Sequence, residues 1–179
     1  MKKLLSLLFV GLFFLVGCNG ANSPLEPVSN STDQTTNNDP KIIRSRTFTI
    51  DGDKGGLIYE KYMWKEGSFD SLKVEAKLKI PAGAFKDSLT FDIIIDPNLL
   101  SIQLYPSPFT FDKPVLLDLK YKGVDFSKID TTNLTFNYIA PDGELIETNY
   151  ESIQIDPVDG VLFVHDAKLP HFSRYGWLR

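Results

Sequence analysis

The chain has 179 residues, a formal net charge of −4 at pH 7, 42% hydrophobic residues and a single cysteine, Cys18. One cysteine excludes a disulfide within the chain, so a folded domain must depend on its apolar core alone. From residue 41 onward there are 17 basic and 20 acidic residues. With no basic cluster in the sequence, we expect no nucleic-acid partner and no basic surface that binds anionic lipid.

The first residues have the pattern of an export signal. A positively charged start, residues 1–3, is followed by an apolar run from Leu4 to Val16. This run is shorter than the roughly 20 residues that a membrane-spanning helix needs. Its length is typical of the hydrophobic region of a secretory signal, and Gly17 supplies the small residue expected before a cleavage site. Residues 1–17 are therefore predicted to be a signal peptide.

The stretch Leu15-Val16-Gly17-Cys18 resembles the lipobox of bacterial lipoproteins. The resemblance implies cleavage between Gly17 and Cys18, a thioether-linked diacylglyceryl group on Cys18, and acylation of the new amino group, for example by palmitate. Two or more acyl chains anchor stably because each buried methylene contributes about 0.8 kcal/mol. We expect a lipoprotein of the cell envelope, bound to the outer face of the cytoplasmic membrane or to an outer membrane. The alternative is an ordinary secretory signal followed by an incidental cysteine.

A polar segment extends from residue 19 to residue 40 and is rich in Asn, Ser, Thr, Asp and Pro. Such a composition buries too little apolar surface to offset the entropy of ordering, so residues 18–40 are predicted to be a lipidated cysteine and a disordered linker. As a flexible coil, about 22 residues would hold the following domain on the order of 25 Å from the anchor. The sequence leaves open whether that length matters.

Residues 41–179 are predicted to form one all-β domain, an antiparallel β-sandwich. Short runs of β-branched and aromatic residues are separated by turn residues, as is typical of this fold class. In Lys73–Ile80 apolar and charged residues alternate strictly, which predicts a strand with one buried and one solvated face. The predicted strands are 42–50, 57–64, 73–80, 89–95, 99–104, 115–121, 133–140, 144–150, 161–165 and 172–178, with one helical turn at most within 123–130.

Four motifs occur in order along this domain: Gly55-Gly56, residues 80–85 (IPAGAF), residues 105–115 (YPSPFTFDKPV) and residues 171–175 (HFSRY). Together they resemble the ZU-five domain, a β-sandwich shared by zonula occludens proteins, netrin receptors and ankyrins, over about residues 50–179. The resemblance implies a binding or structural interaction module, here with an envelope protein or a polysaccharide as partner. Pro108 departs from the family pattern, which usually has glycine there.

The stretch His171-Phe172-Ser173 is the one candidate for chemistry. In some members of the ZU-five family the same three residues mark self-cleavage of the Phe-Ser bond. The resemblance implies that Ser173 attacks the carbonyl of Phe172 while His171 takes the hydroxyl proton. The structural alternative is that Phe172 fills the core while His171 and Ser173 form hydrogen bonds at a strand edge. Apart from this self-cleavage we expect no enzymatic activity.

Aromatic residues on the second predicted strand form another candidate site. Tyr62 and Trp64 share one face and Tyr59 lies on the other, so an exposed pair could stack on a sugar or a partner protein. Alternation also places at least part of this set in the core.

Metal and cofactor sites are not expected. Asp51-Gly52-Asp53 suggests a calcium loop, but the rest of that pattern is missing and a turn between the first two strands explains it better. His165 and His171 lack thiols or suitably spaced carboxylates as partners. His165 and Asp166 are expected to be a solvated pair at a strand end.

Overall fold

The computed structural model describes residues 43–64 and 71–177. The predicted signal peptide, Cys18 and the linker to residue 40 lie outside the described residues. Within them, two antiparallel sheets pack face to face, which confirms the prediction of an all-β sandwich.

Eleven strands lie within the described residues. They are β1 Arg44–Asp51, β2 Gly56–Met63, β3 Lys73–Ile80, β4 Ser88–Asp96, β5 Ser101–Tyr105, β6 Phe109–Lys122, β7 Phe136–Ile139, β8 Leu145–Glu147, β9 Ser152–Asp156, β10 Val161–Phe172 and β11 Arg174–Trp177. A 3-10 turn at Phe126–Lys128 is the helical turn predicted within 123–130. The six-stranded sheet has the order β1-β4-β5-β11-β7-β8, and the five-stranded sheet has the order β2-β3-β6-β10-β9.

Strict alternation along the strands explains the core between the sheets. In β3 every second side chain, from Val74 to Ile80, is buried, and the charged residues between them face solvent. The neighbouring β6 alternates in the same way from Val115 to Tyr121. Because successive side chains of a strand point to opposite faces, each sheet contributes one apolar face to the shared core.

Phenylalanine residues fill one end of this core. The ring of Phe172 lies 4.7 Å from that of Phe111, 5.0 Å from that of Phe91 and 5.7 Å from that of Phe109, measured between ring centroids. Phe85 packs against Phe109 and Phe111 from the loop that follows β3. Phenylalanines from three of the sequence motifs, residues 80–85, 105–115 and 171–175, therefore lie together.

Most predicted strands differ from the observed ones by a few residues at one or both ends, and three strands differ more substantially. β9 was not predicted because it has only five residues, and only two of them, Ile153 and Ile155, are large and apolar. β6 begins at Phe109 rather than after Pro114, and β10 runs on from His165 to Phe172. Both extensions pass through prolines or a bulge, features that usually indicate strand ends.

Candidate functional site

The chain changes sheets near its last strands, at Ser173. β10 pairs with β6 as far as Phe172, which lies opposite Phe109. The next paired residue, Arg174, already belongs to β11 and lies opposite Gln103 of β5 in the other sheet. A strand that passes from one sheet to the other forms a corner of the sandwich.

The β6–β10 ladder opens just before this corner. Leu169 lies opposite Val115 and His171 lies opposite Thr110, so residues 111–114 on β6 are matched by Pro170 alone on β10. Proline has no backbone N–H to donate to a ladder, and Pro170 and Pro114 both lie in the gap. The interruption therefore leaves a depression between the two sheets.

This depression is a cleft of about 390 Å³, which we call the corner cleft. It is lined by Pro114, Tyr138, Ile146, Glu147, Thr148, Asn149, Lys168, Pro170, His171 and Tyr175. The lining comes from both sheets. A concave site of this size with mainly apolar walls and a few polar groups is the usual form of a ligand-binding site.

Three rings form the aromatic side of the cleft. The His171 ring lies 4.7 Å from the Tyr138 ring and 6.0 Å from the Tyr175 ring. The Tyr175 hydroxyl donates to the carbonyl oxygen of His171 at 2.8 Å. Burial raises the pKa of the Tyr175 hydroxyl, so it stays protonated and remains a donor. The ring contacts and this hydrogen bond bring the three rings together as one aromatic wall.

Polar groups border the opposite side of the cleft. Lys168, Glu147 and Asn149 are exposed, and the Tyr150 hydroxyl donates to Glu147 at 2.9 Å. Thr148 is only 7% exposed, and within residues 43–64 and 71–177 its hydroxyl has no hydrogen-bond partner. A buried hydroxyl without a partner is unfavourable by about 1–3 kcal/mol. The corner cleft thus has unused hydrogen-bonding capacity.

The tripeptide His171-Phe172-Ser173 lies beside this cleft. Phe172 is 2% exposed and belongs to the core, as the structural alternative predicted. The Ser173 carbonyl oxygen accepts from the backbone N–H of Leu104 at 2.9 Å. His171 is hydrogen-bonded to Tyr175, and among the described residues no hydrogen bond joins His171 to Ser173. Self-cleavage at Phe172-Ser173 stays a prediction.

His165 and Asp166 are not a solvated pair at a strand end, and that prediction was wrong. They lie within β10 at a bulge, where Val164 pairs with Leu119 and Ala167 with Leu117, so the two residues face only Asp118. A bulge places two residues opposite one and lets Asp166 adopt a φ of +47°. Sequence analysis missed this arrangement because a bulge leaves no alternation to detect.

Asp118 is the centre of a polar cluster at the bulge. Its carboxylate accepts from the His165 ring at 2.7 Å and from the Asp166 backbone N–H at 3.0 Å, and it forms an ion pair with Lys79 at 3.2 Å. Burial acts to raise the pKa of Asp118, but these hydrogen bonds outweigh it, so the pKa lies below its ordinary value. Asp118 is therefore ionised at neutral pH.

The same cluster has the residue types of a metal site. Ligand atoms of Asp118, His165 and Asp166 lie within 4.8 Å of one another. However, the Lys79 ammonium is 2.6 Å from Asp166 and 3.2 Å from Asp118, and it already supplies the positive charge that these carboxylates need. We interpret the cluster as an ion-pair network that stabilises the bulge.

The aromatic residues of the second predicted strand, 57–64, do not form the expected stacking surface. Trp64 is only 4% exposed and belongs to the core, and its ring centroid is 6.1 Å from that of the half-buried Tyr62. Tyr59, on the opposite face of the strand, is 50% exposed. Trp64 is therefore not accessible to a sugar, and the hypothesis of sugar binding on Tyr62 and Trp64 was wrong.

Asp51-Gly52-Asp53 forms a turn between β1 and β2, as the simpler interpretation predicted. Asp51 accepts from the backbone N–H of Asp53 at 3.1 Å and pairs with Lys54 at 2.6 Å. A Cβ on Gly52 would lie 2.2 Å from the carbonyl oxygen of Phe85. The glycine is thus required by close packing against the next loop.

A basic surface is present, contrary to the prediction that there is none. The outward side chains of β2, β3 and β6 include six lysines and two carboxylates: Lys61, Lys73, Lys77, Lys79, Lys120, Lys122, Glu75 and Asp118. Alternation in the sequence of β3 already predicts that four of these eight charged residues share one face of the strand. The contribution of β6 appears only once the two strands are aligned.

No protein-family model matches this chain, and no curated protein is significantly similar to it. Cys18 and Gly17 lie outside the described residues. In the described part of the chain, no helix is both long and apolar enough to cross a membrane.

Proposed function

We propose that this chain is a lipid-anchored lipoprotein of the cell envelope whose β-sandwich binds a partner protein through the corner cleft. The lipobox-like stretch ending at Cys18 supports the anchor, and the polar linker supports a tethered domain. The observation that carries the binding function is the cleft itself, since it combines an aromatic wall with a buried hydroxyl, that of Thr148, which has no partner among the described residues. The anchor would hold the domain at a cytoplasmic or an outer membrane.

The ZU-five resemblance belongs to this proposal. It is supported by the positions of the motif residues: Gly83 has a φ of +74° in the turn after β3, and Phe85, Phe111 and Val115 are buried. The motif residues therefore shape a turn or fill the core. An interaction module of this type would need no catalytic group.

A protein is favoured as the partner because the cleft borders a free strand edge. β8 is the last strand of the six-stranded sheet, and its residues Leu145 and Ile146 are 42% and 47% exposed. An extended peptide can pair with such an edge while one of its side chains enters the neighbouring depression. A polysaccharide is the other candidate.

The anchor is tested by the mass of the mature N-terminal peptide. We expect it to begin at Cys18 and to carry a diacylglyceryl group, and we expect Cys18→Ser to leave the protein unmodified and free of membranes. A mature protein that begins elsewhere and fractionates as a soluble protein contradicts the anchor.

The cleft is tested by comparing two equivalent charge insertions in pull-downs from envelope extracts. Ile146→Arg places a charge at the edge of the cleft. Val158→Arg places the same charge in the β9–β10 turn, where Val158 is 95% exposed. Because Ile146 lines the cleft, and burying an unpaired charge in place of an apolar contact costs about 1–2 kcal/mol or more, the first variant should retain about a tenth of the partner, while the second retains it.

Equal recovery with both variants contradicts binding at the cleft. Retention of wild-type protein on purified cell-wall polymer, lost only with Ile146→Arg, would favour a polysaccharide instead.

A further inference from the structure

The outer face of the five-stranded sheet is strongly basic over the three strands β2, β3 and β6. We call this surface the lysine face and define it by the six lysines and two carboxylates named above. Its formal charge is +4, from six positive and two negative groups, whereas the whole chain carries −4. Six of the 19 basic residues of an acidic protein thus lie on one face of three neighbouring strands, next to Asp166 of β10, which pairs with Lys79 at 2.6 Å.

The two carboxylates of the lysine face are already engaged. Glu75 pairs with Lys61 at 3.1 Å and accepts from the Tyr59 hydroxyl at 3.2 Å. Asp118 is bound in the cluster with Lys79 at the bulge. As far as the described residues extend, no carboxylate lies within ion-pair distance of the other four lysines, Lys73, Lys77, Lys120 and Lys122.

Two of these lysines oppose each other directly. Lys73 on β3 lies opposite Lys122 on β6 in the ladder. Like charges in directly opposed positions destabilise a sheet. An anion placed over this pair would relieve the repulsion, so the surface complements negative charge.

Exposed apolar side chains border the lysine face along β2. Leu57, Tyr59 and Met63 point outward from this edge strand and are 60%, 50% and 46% exposed. The ammonium of Lys61 lies 5.1 Å from the centre of the Tyr59 ring. Tyrosine and aliphatic groups beside lysines are typical of surfaces that lie at a membrane–water interface.

We propose that the lysine face docks on the anionic headgroups of a membrane, with the apolar border on β2 at the depth of the interface. In the ladder Lys120 lies opposite Glu75 and Lys77 lies opposite Asp118, so Lys73 and Lys122 have the least compensated charge of the four. Lysines spread over two neighbouring strands match a layer of negative charge better than they match a thin polymer chain. Each lysine near such a surface contributes about fivefold in affinity. The proposal deepens the proposed function, since a tethered domain would then lie against its own membrane.

The test measures the accessibility of lysines in the full-length chain reconstituted in vesicles. One preparation contains phosphatidylcholine alone, and the other contains phosphatidylcholine mixed with phosphatidylglycerol. Acetylation of each lysine by an N-hydroxysuccinimide ester is followed by mass spectrometry. We expect Lys73, Lys77, Lys120 and Lys122 to react at least about fivefold more slowly on the anionic vesicles.

Lysines in turns serve as internal controls in the same experiment. Lys54, Lys86 and Lys128 are exposed and lie in connections between strands, so their reactivity should not depend on the lipid. Protection of the face should disappear at about 0.5 M salt, where the screening length is about 4 Å.

Two variants with the same change in charge test the cause of the protection. K77Q/K120Q/K122Q removes three lysines of the face, and we expect Lys73 to regain full reactivity on anionic vesicles. K54Q/K86Q/K128Q removes three lysines elsewhere and should leave Lys73 protected. Near-ultraviolet circular dichroism establishes that both variants are folded.

Equal reactivity of the face lysines on the two kinds of vesicle overturns the proposal, and so does loss of protection in both variants. Retention on dextran sulfate without protection on vesicles also overturns it, in favour of a soluble polyanion. Failure of the chain to float with neutral vesicles would instead contradict the acyl anchor. If the acyl anchor fails in this way, the lysine face can still be tested. In that case we expect the chain to bind the vesicles that contain phosphatidylglycerol and not those of phosphatidylcholine alone.

Discussion

Replacement of Phe172 by leucine tests whether this residue is the centre of the aromatic core. Leucine keeps most of the apolar burial but removes three ring contacts, to Phe91, Phe109 and Phe111. Each aromatic pair contributes about 0.5–1.5 kcal/mol beyond its buried area, and the smaller side chain leaves a partial cavity. Allowing for incomplete additivity, we expect the free energy of unfolding to fall by about 2–3 kcal/mol.

Urea unfolding followed by tryptophan fluorescence measures this loss. Trp64 and Trp177 are each 4% exposed, so both report loss of the core. In a domain of this size a change of 2–3 kcal/mol lowers Tm by about 8–10 °C. The matched control is Phe163→Leu on the outer face of β10, where Phe163 is half-buried and the expected loss is below about 1 kcal/mol.

A double-mutant cycle refines the test. Combining Phe172→Leu with Phe91→Leu should show a coupling energy of about 0.5–1.5 kcal/mol, because the two rings are in contact. The reasoning is refuted if Phe172→Leu and Phe163→Leu destabilise equally, or if the cycle shows no coupling.

Three further predictions concern the turn, the bulge and the tripeptide. Gly52→Ala should destabilise the domain by about 1–3 kcal/mol, because its Cβ would overlap the carbonyl oxygen of Phe85; urea midpoints unchanged within error would contradict this. The pKa of Asp118 is lowered on folding, so its contribution to stability is complete above the unfolded pKa of about 4 and is lost as the pH falls through the folded value. Wild-type protein should therefore lose more stability than Asp118→Asn between pH 6 and about pH 3, and parallel pH profiles would refute the role of the cluster. If Phe172-Ser173 cleaves itself, intact mass measurement should show two fragments in the wild type and one species in Ser173→Ala, whereas a single full-length species in both eliminates self-cleavage.

Periodicity in the sequence predicted most of the sandwich because its strands are long and alternate cleanly. β3 is the clearest case, since its predicted and observed bounds are the same. β9 was missed in the sequence because Ile153 and Ile155 are its only large apolar residues and their neighbours are polar. The predicted β10 was too short because His165-Asp166 and Pro170 have the residue types of strand ends. In the structure the pairing with β6 continues past them, through a bulge at His165-Asp166 and a gap at Pro170.

The candidate sites depended on information that a sequence does not contain. The corner cleft combines residues from five strands, and its position follows from a break in the β6–β10 ladder. The lysine face required the register that aligns Lys73 with Lys122. The sequence did identify His171 as a residue of interest, but for chemistry rather than for its place in an aromatic wall.

The passage of β10 into β11 has a consequence for the order in which the domain can fold. β10 lies between β6 and β9, and β11 lies between β5 and β7, although both are the last strands in sequence among the described residues. During synthesis, β7, β8 and β9 have no place in either sheet until residues 161–177 have emerged. Both sheets can therefore be completed only after the last described strands have been synthesised, which makes completion of the sandwich a late event in folding.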